Sequence, residues 1–235
     1  AIVGDRALPD VYARVRQELA LDEPLYYQFW LYMTKVLQGD FGKSVITSKP
    51  VIDDIIRFFP ATIELATLAT LLGALIGVPM GVLAAKFQGR WVDHIIRVLG
   101  LVGYSVPVFW LGIVGLVVFY KWLEWASGTG RLDVFYEDIV DPLTGIMLVD
   151  AAIAREWDIF FNAVSHLMLP VSILGYYSLA YISRMTRSFM LAELGQEYVT
   201  TARIKGLSER RVVWRHALGN VMVPLLLFMS AVKFI

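Results

Sequence analysis

Cysteine is absent from the 235 residues, which excludes a disulfide framework and any thiolate metal site. Histidine is nearly absent: His94, His166 and His216 stand at no ligand spacing from one another, so a histidine metal centre has no support. Charge is scarce too. Only 18% of the residues are Asp, Glu, Lys or Arg, against about a quarter in ordinary soluble domains. Neither sign prevails, with 21 basic and 21 acidic residues, so there is no electrostatic footprint for nucleic acid. An initiator Met and a signal peptide are both missing, and the last residue falls in an apolar run. The chain is therefore expected to be a fragment of a longer protein.

What is abundant is apolar. Hydrophobic residues make up 57% of the chain and the mean hydropathy is +0.61, more than one soluble core of this size can hide. Three uncharged runs dominate, at 65–85, 98–120 and 159–183, the last interrupted only by His166. Each is long enough as a helix to cross a hydrocarbon layer of about 30 Å. A fourth run, 217–232, reads as a span cut short. Backbone groups in lipid find no water, so these spans must be helices. Pro60 sits where the first helix is expected to begin, a position that tolerates proline. Pro79, Pro107, Pro170 and Pro224 fall inside the runs; packing, or bending during transport, accounts for them.

The loops set the orientation. Residues 86–97 carry Lys86, Arg90 and Arg97, and residues 184–216 carry seven arginines or lysines, whereas 121–158 has three basic residues. Basic residues mark the cytoplasmic side. Loops 86–97 and 184–216 are then cytoplasmic, and 121–158 and 1–58 lie outside. The expected layout is an extracytoplasmic segment at 1–58 with a short amphipathic helix near 23–38, then a membrane domain at 59–235. Its spans are placed at 60–86, 97–121, 159–184 and 217–235, with an outer loop at 122–158 and a cytoplasmic region at 185–216.

Several chemical motifs dissolve on inspection. Gly39-Asp40-Phe41-Gly42-Lys43-Ser44 ends like a phosphate loop, but the glycine required five residues earlier is Leu37, so a turn is expected. Ser165-His166 raises an intramembrane hydrolase, yet no Gly-x-Ser-x-Gly elbow accompanies it. Glu64 and His166 raise an ion-coupled secondary transporter, which would need charged residues facing one another near the midplane. For both residues a structural or interfacial role is the competing reading.

The cytoplasmic stretch 194–218 is too patterned for a plain linker. Residues 194–205 suit a helix ending at Gly206. Ser208 is placed to cap a second short helix with Glu209 in its first turn and Arg215 and His216 near its end. The result is an elbow. Ala202 and Gly206, four apart, share a helix face on which another protein could come close; a basic loop against anionic lipid fits the same composition.

Thr200-Thr201-Ala202-Arg203-Ile204-Lys205-Gly206 resembles the Glu-Ala-Ala-x-x-x-Gly loop of permease subunits in bacterial ATP-binding-cassette importers. Thr200 stands where that motif has Glu, and Thr201 where it has its first Ala. The fuller stretch from Glu197 to Val212 is similar to the dipeptide, oligopeptide and nickel branch of the family. So are Gly39-Asp40-Phe41-Gly42-Lys43-Ser44, Pro60-Ala61-Thr62-Ile63-Glu64-Leu65-Ala66, Ser105-Val106-Pro107-Val108-Phe109-Trp110 and Ser183-Arg184-Met185-Thr186-Arg187-Ser188-Phe189-Met190.

The resemblance implies an all-α polytopic membrane protein with the type I importer transmembrane fold, here without its first and last membrane helices. It implies the bacterial inner membrane and a passive pore subunit with no catalytic residue, no metal and no bound cofactor. Its partners would be a second permease subunit in a heterodimer, two cytoplasmic ATPase subunits carrying ATP and Mg, and an extracytoplasmic substrate-binding protein. The coupling contact would involve Glu197, Thr200, Thr201, Ala202, Arg203, Lys205, Gly206, Leu207, Ser208 and Arg211. A translocation path is expected along Tyr104, Ser105, Trp110, Tyr176 and Tyr177, with interhelical packing as the competing reading of each. Short peptides are the leading cargo, with nickel chelates, glutathione-like compounds, opines or sugars behind.

Overall fold

The structure is a computed structural model and describes residues 21–44 and 46–232, with side chains to 227. The outer-segment expectation for residues 1–20, and the last three residues of the fourth span, lie outside it. Among the described residues the regular elements are all helices, with one isolated bridge between Lys43 and Pro50, as an all-α protein requires.

The chain divides into two units, residues 1–60 and 61–235. In the first, helix α1 (Leu25–Leu37) forms where the apolar spacing predicts one. None of its residues is buried, and Leu25, Phe29 and Trp30 are exposed. The Gly-Lys-Ser segment is a closed turn. Asp40 accepts from the Gly42 N–H at 2.9 Å, Lys49 O accepts from the Ser44 N–H at 2.8 Å, and Gly39 and Gly42 have left-handed φ of 84° and 76°. Two of the donors a phosphate cradle would need are already used.

Helix α2 (Val51–Lys86) runs 36 residues. It starts nine residues before Pro60 rather than at it. Asp53 and Asp54 sit in its first turn, where acidic side chains favour the positive helix end.

Most of the second unit packs on α6 (Trp157–Leu194), 38 residues and roughly 57 Å long. Both α2 and α6 are long and apolar enough to cross a membrane. Helix α2 meets α6 along Gly73, Gly77 and Gly81, a four-residue repeat of small residues that lets two backbones touch. A Cβ added at Gly81 would lie 2.5 Å from the Thr186 Cβ and 2.6 Å from the Ser183 carbonyl oxygen. Neither neighbour is a flexible tip. Gly81→Ala is therefore expected to cost about 1–3 kcal/mol by overpacking, read as a lower melting temperature in detergent. An unchanged melt would mean the helices are further apart than this.

The expected single span at 97–121 is interrupted. It consists of α3 (Trp91–Ser105) and α4 (Val108–Gly115), which continues as wider π-type turns over Leu116–Trp122. The two parts are bent by 93°. Pro107 is the cause: it offers no N–H, and it holds the preceding Val106 extended at φ −92°, ψ 129°. Pro79, Pro170 and Pro224 stay inside continuous helices.

At one end of α6, α5 (Met147–Ala154) packs against its start around Leu132, Ala151, Ile159 and Ala163. At the other end, Val82, Ile182, Met190, Val213, Val221 and Leu225 form the main core between α2, α6 and the C-terminal helix.

Candidate coupling elbow and translocation face

Helix α6 overruns its apolar stretch by about three turns and stops at Leu194. After Gly195 and Gln196 comes α7 (Glu197–Ile204), then Gly206 at φ +77°, a left-handed conformation that reverses the chain at little cost only for glycine. The return arm starts as α8 (Glu209–Arg211) with Ser208 at its N-cap, although the serine side chain makes no capping hydrogen bond. This arm is not the separate short helix expected. It passes through wide turns at Val212–Ala217 directly into α9 (Leu218–Val232). Val212, Val213 and Ala217 are buried, so the arm is fixed to the core instead of ending near His216.

The elbow has its own small core. Val199, Ala202 and Val212 are buried against Leu194 and Leu207. Ala202 thus faces inward: its small side chain lets α7 cross the return arm, and it is not presented to a partner. Glu197, Thr200, Thr201, Arg203, Lys205, Gly206, Ser208 and Arg211 are exposed, and Leu207 is half-buried. The residue that the sequence reading passed over is Ile204, 81% exposed beside Lys205 and Gly206. Two residues on from Ala202, it points about 200° round the helix. Its signal was an apolar residue out of phase with Val199 and Ala202.

Arg203 Nε donates to Glu209 Oε1 at 2.8 Å and joins the two arms. Both side chains are about half exposed, so this pair contributes at most about 1 kcal/mol. Tyr198 donates to Glu193 Oε2 at 2.6 Å; burial, then this bond, hold its hydroxyl above the usual phenol range.

Seven residues before α6 ends, Arg187 grips Asp93 in two bonds, Nε to Oδ1 at 2.7 Å and Nη2 to Oδ2 at 2.9 Å. Asp93 is 1% exposed and also accepts from the Gly89 N–H at 3.0 Å. The Arg187 hydrogen bond, against the opposing effect of burial, lowers its carboxyl to about 2. The pair ties the 86–90 turn to the shaft that carries the elbow. Asp93, the one acid in a basic loop, was its only trace in the sequence.

The five expected path residues do not come together. Tyr104 lines a cavity of about 440 Å³ between α3 and α6; Ser105, Trp110, Tyr176 and Tyr177 do not. The Tyr176 hydroxyl donates to the Leu99 carbonyl at 2.8 Å and so serves α3–α6 packing. Ser105 is exposed at the end of α3, and Trp110 and Tyr177 are exposed on α4 and α6.

Glu64, His166 and Ser165 are held in structural networks. Glu64 is 5% exposed; it accepts from Arg131 at 2.9 Å and from the backbone N–H groups of Leu148 at 2.9 Å and Met147 at 3.3 Å. It fastens Arg131 and the start of α5 to α2 and satisfies the first turn of α5. His166 Nδ1 lies 2.9 Å from the Asn162 carbonyl. A carbonyl can only accept, so that nitrogen carries a proton and cannot take one from Ser165. The Ser165 hydroxyl itself bonds the Asn162 carbonyl and Ser127, each at 2.7 Å. Glu64→Gln is expected to lower stability by about 1–3 kcal/mol through its unmatched donors, seen in thermal melts.

Residues 77–232 match the family described as binding-protein-dependent transport system inner membrane component. The chain is 42% identical over 226 residues to the probable D,D-dipeptide transport system permease protein of Escherichia coli K12, covering 95% of this chain and 65% of that protein. It is 42% identical to the di/tripeptide transport system permease protein of Pseudomonas aeruginosa, over 96% of this chain and 67% of that one. With the dipeptide transport system permease protein of Escherichia coli K12 the identity is 41%, over 95% and 66%. The chain spans about two thirds of the length of these relatives.

Proposed function

Since the chain belongs to the binding-protein-dependent transport system inner membrane component family, we propose that it forms the membrane pore of an ATP-driven importer of di- and oligopeptides. The observation that carries this is the elbow: a two-armed turn closed on its own small core, with Ile204 and Lys205 exposed just before the Gly206 reversal, on a chain similar to proteins named as peptide permeases. The cargo class rests on those names.

In this reading the chain pairs with a second permease subunit, and two cytoplasmic ATPase subunits hold ATP and Mg. An extracytoplasmic binding protein delivers cargo to the outer loop 122–158 and to segment 1–58. The exposed aromatic face of α1 suits an outer membrane interface. The ATPase seats on the exposed faces of Glu197, Thr200, Thr201, Arg203, Lys205, Gly206, Ser208 and Arg211, with Ala202 and Leu207 giving the elbow its shape. ATP binds more tightly to the closed ATPase dimer, and that difference is the energy available to move the elbow. Because the return arm continues into α9 and α6 leads into α7, the displacement is transmitted to both helices. Tyr104, Ser105, Trp110 and Tyr177, which are exposed in this chain, border the path in the paired assembly, and Tyr176 packs behind them on α3. This chain contributes shape and no bond-breaking chemistry.

The test is co-expression of the full-length protein with its candidate ATPase, permease and binding-protein partners, then uptake of a labelled dipeptide into proteoliposomes. Gly206→Asp is the control. A Cβ at Gly206 meets nothing within 4 Å, and aspartate is among the residues that tolerate its φ. The ATPase should co-purify with the wild type and be lost from the variant, and uptake should require ATP and binding protein together. If no ATPase associates with either monodisperse protein while uptake follows an ion gradient, the proposal fails.

A further inference from the structure

The cavity between α3 and α6 holds arginines that the proposed transport role, which takes only Tyr104 from its lining, does not use. Its walls include Arg97 and Arg184, with Arg187 behind them, and Gly100 and Ala180 form part of its lining. Arg187 is committed to Asp93. Arg97 bonds the His94 ring at 2.7 Å and lies 3.7 Å from the same carboxylate. Arg184 has no carboxylate partner among the described residues. Its guanidinium stands 5.1 Å from the Tyr104 ring centre and 5.2 Å from that of Tyr181. Arg187 and Arg97 thus share one buried carboxylate, and Arg184 is left without a counter-charge among the described residues. Stacking on aromatic faces holds a guanidinium in place and leaves its edge N–H groups to bind an oxyanion.

The position of the cavity narrows the choice of anion. Arg184 directly follows the apolar run 159–183, and Arg97 precedes the run 98–120. By the basic-loop rule this is the cytoplasmic border of the hydrocarbon. Leu101 lines the same cavity, and the neighbouring Val98 and Val102 are exposed along α3. An anion with an apolar tail satisfies both the arginines and this flank, whereas a small hydrophilic anion leaves the flank wet.

We propose that the α3–α6 cavity binds the phosphate of an anionic glycerophospholipid of the cytoplasmic leaflet, with Arg184 and Arg97 as its ligands and an acyl chain along Val98 and Leu101. A phosphodiester accepts the paired N–H groups of a guanidinium, and basic pockets between membrane helices on this side suit such headgroups.

The test uses the full-length permease in detergent, with lipid retention read by native mass spectrometry after exchange into phosphatidylglycerol or phosphatidylcholine. The wild type should retain phosphatidylglycerol preferentially. Arg184→Gln and Arg97→Gln should each lower retention about fivefold, and together about thirtyfold, at about 1 kcal/mol per cation. Arg184→Lys should lie between wild type and Arg184→Gln. Equal retention of phosphatidylcholine, or undiminished phosphatidylglycerol in the double variant, would overturn the proposal. Displacement by inorganic phosphate would overturn it in favour of a soluble anion, and displacement by a dipeptide in favour of the cargo path. If the double variant does not stay monodisperse, the two-lipid comparison and the competitions decide on the wild type alone.

Discussion

Arg187→Ala is expected to be the most damaging single substitution around the elbow and the helix that carries it, at about 3–5 kcal/mol. The cost comes from Asp93 rather than from the lost arginine. With Arg187 gone, Asp93 remains 1% exposed, keeping only the Gly89 N–H and a distant, half-exposed Arg97. A buried carboxylate without its partner must either stay charged at high cost or take up a proton. The measurement is thermal unfolding in detergent, where this loss corresponds to a fall of very roughly 6–20 °C for a chain of this size. The double variant Asp93→Asn with Arg187→Gln should recover most of the fall, because it removes the stranded charge. A double variant no better than Arg187→Ala would mean that the side chains matter for packing and not as a pair. The pH dependence has a definite sign. The Asp93 carboxyl is lowered in the folded protein from 3.8 to about 2. Its contribution is therefore complete above pH 4 and is lost as pH falls towards 2. Arg187→Ala should flatten that acid limb.

The long helices were legible because twenty apolar residues in lipid can satisfy their backbone only as a helix, and the long apolar parts of α2 and α6 lie where the uncharged runs put them. Their ends were less legible. The start of α2 at Val51 depends on Asp53 and Asp54 at its N-terminus, so the expectation built on Pro60 came nine residues late. The 93° break at Pro107 was invisible to composition: four prolines sit in apolar runs, and only there is the preceding residue turned to extended backbone. The close approach of α2 to α6 was present as Gly73, Gly77 and Gly81 at four-residue spacing, a pattern that is informative only once a facing helix is known. At the elbow, position and glycine hinge were readable but the outward face was not. Ala202 and Gly206 share a helix face in sequence, yet Ala202 is taken up by Val199 and Val212, and the partner to Ala202 is a valine ten residues away on the return arm. Arg187 and Asp93 are 94 residues apart, which is why the Arg187 clamp had no local signal.

That inward turn of Ala202 gives the elbow's sharpest test, Ile204→Asp. At 81% exposure, Ile204 contributes little to the isolated fold, and a polar replacement at such a site normally changes stability by within about 0.5 kcal/mol. If the ATPase seats on the elbow tip as proposed, the same side chain is desolvated in the complex. A carboxylate there would then be buried beside an apolar wall, and anchor residues of this kind cost at least about 2 kcal/mol when lost, roughly thirtyfold in affinity. The expected result is an unchanged melting temperature for the permease, with ATPase co-purification and dipeptide uptake each reduced at least tenfold. Ile204→Val should retain most of both, because it keeps the apolar contact. Arg203→Ala should lie near wild type, since its exposed pair with Glu209 contributes at most about 1 kcal/mol. The contrast between neighbouring positions separates docking from simple damage. A folded Ile204→Asp protein that couples normally would remove Ile204 from the contact and move the search to the return arm at Arg210 and Arg211, which is also exposed.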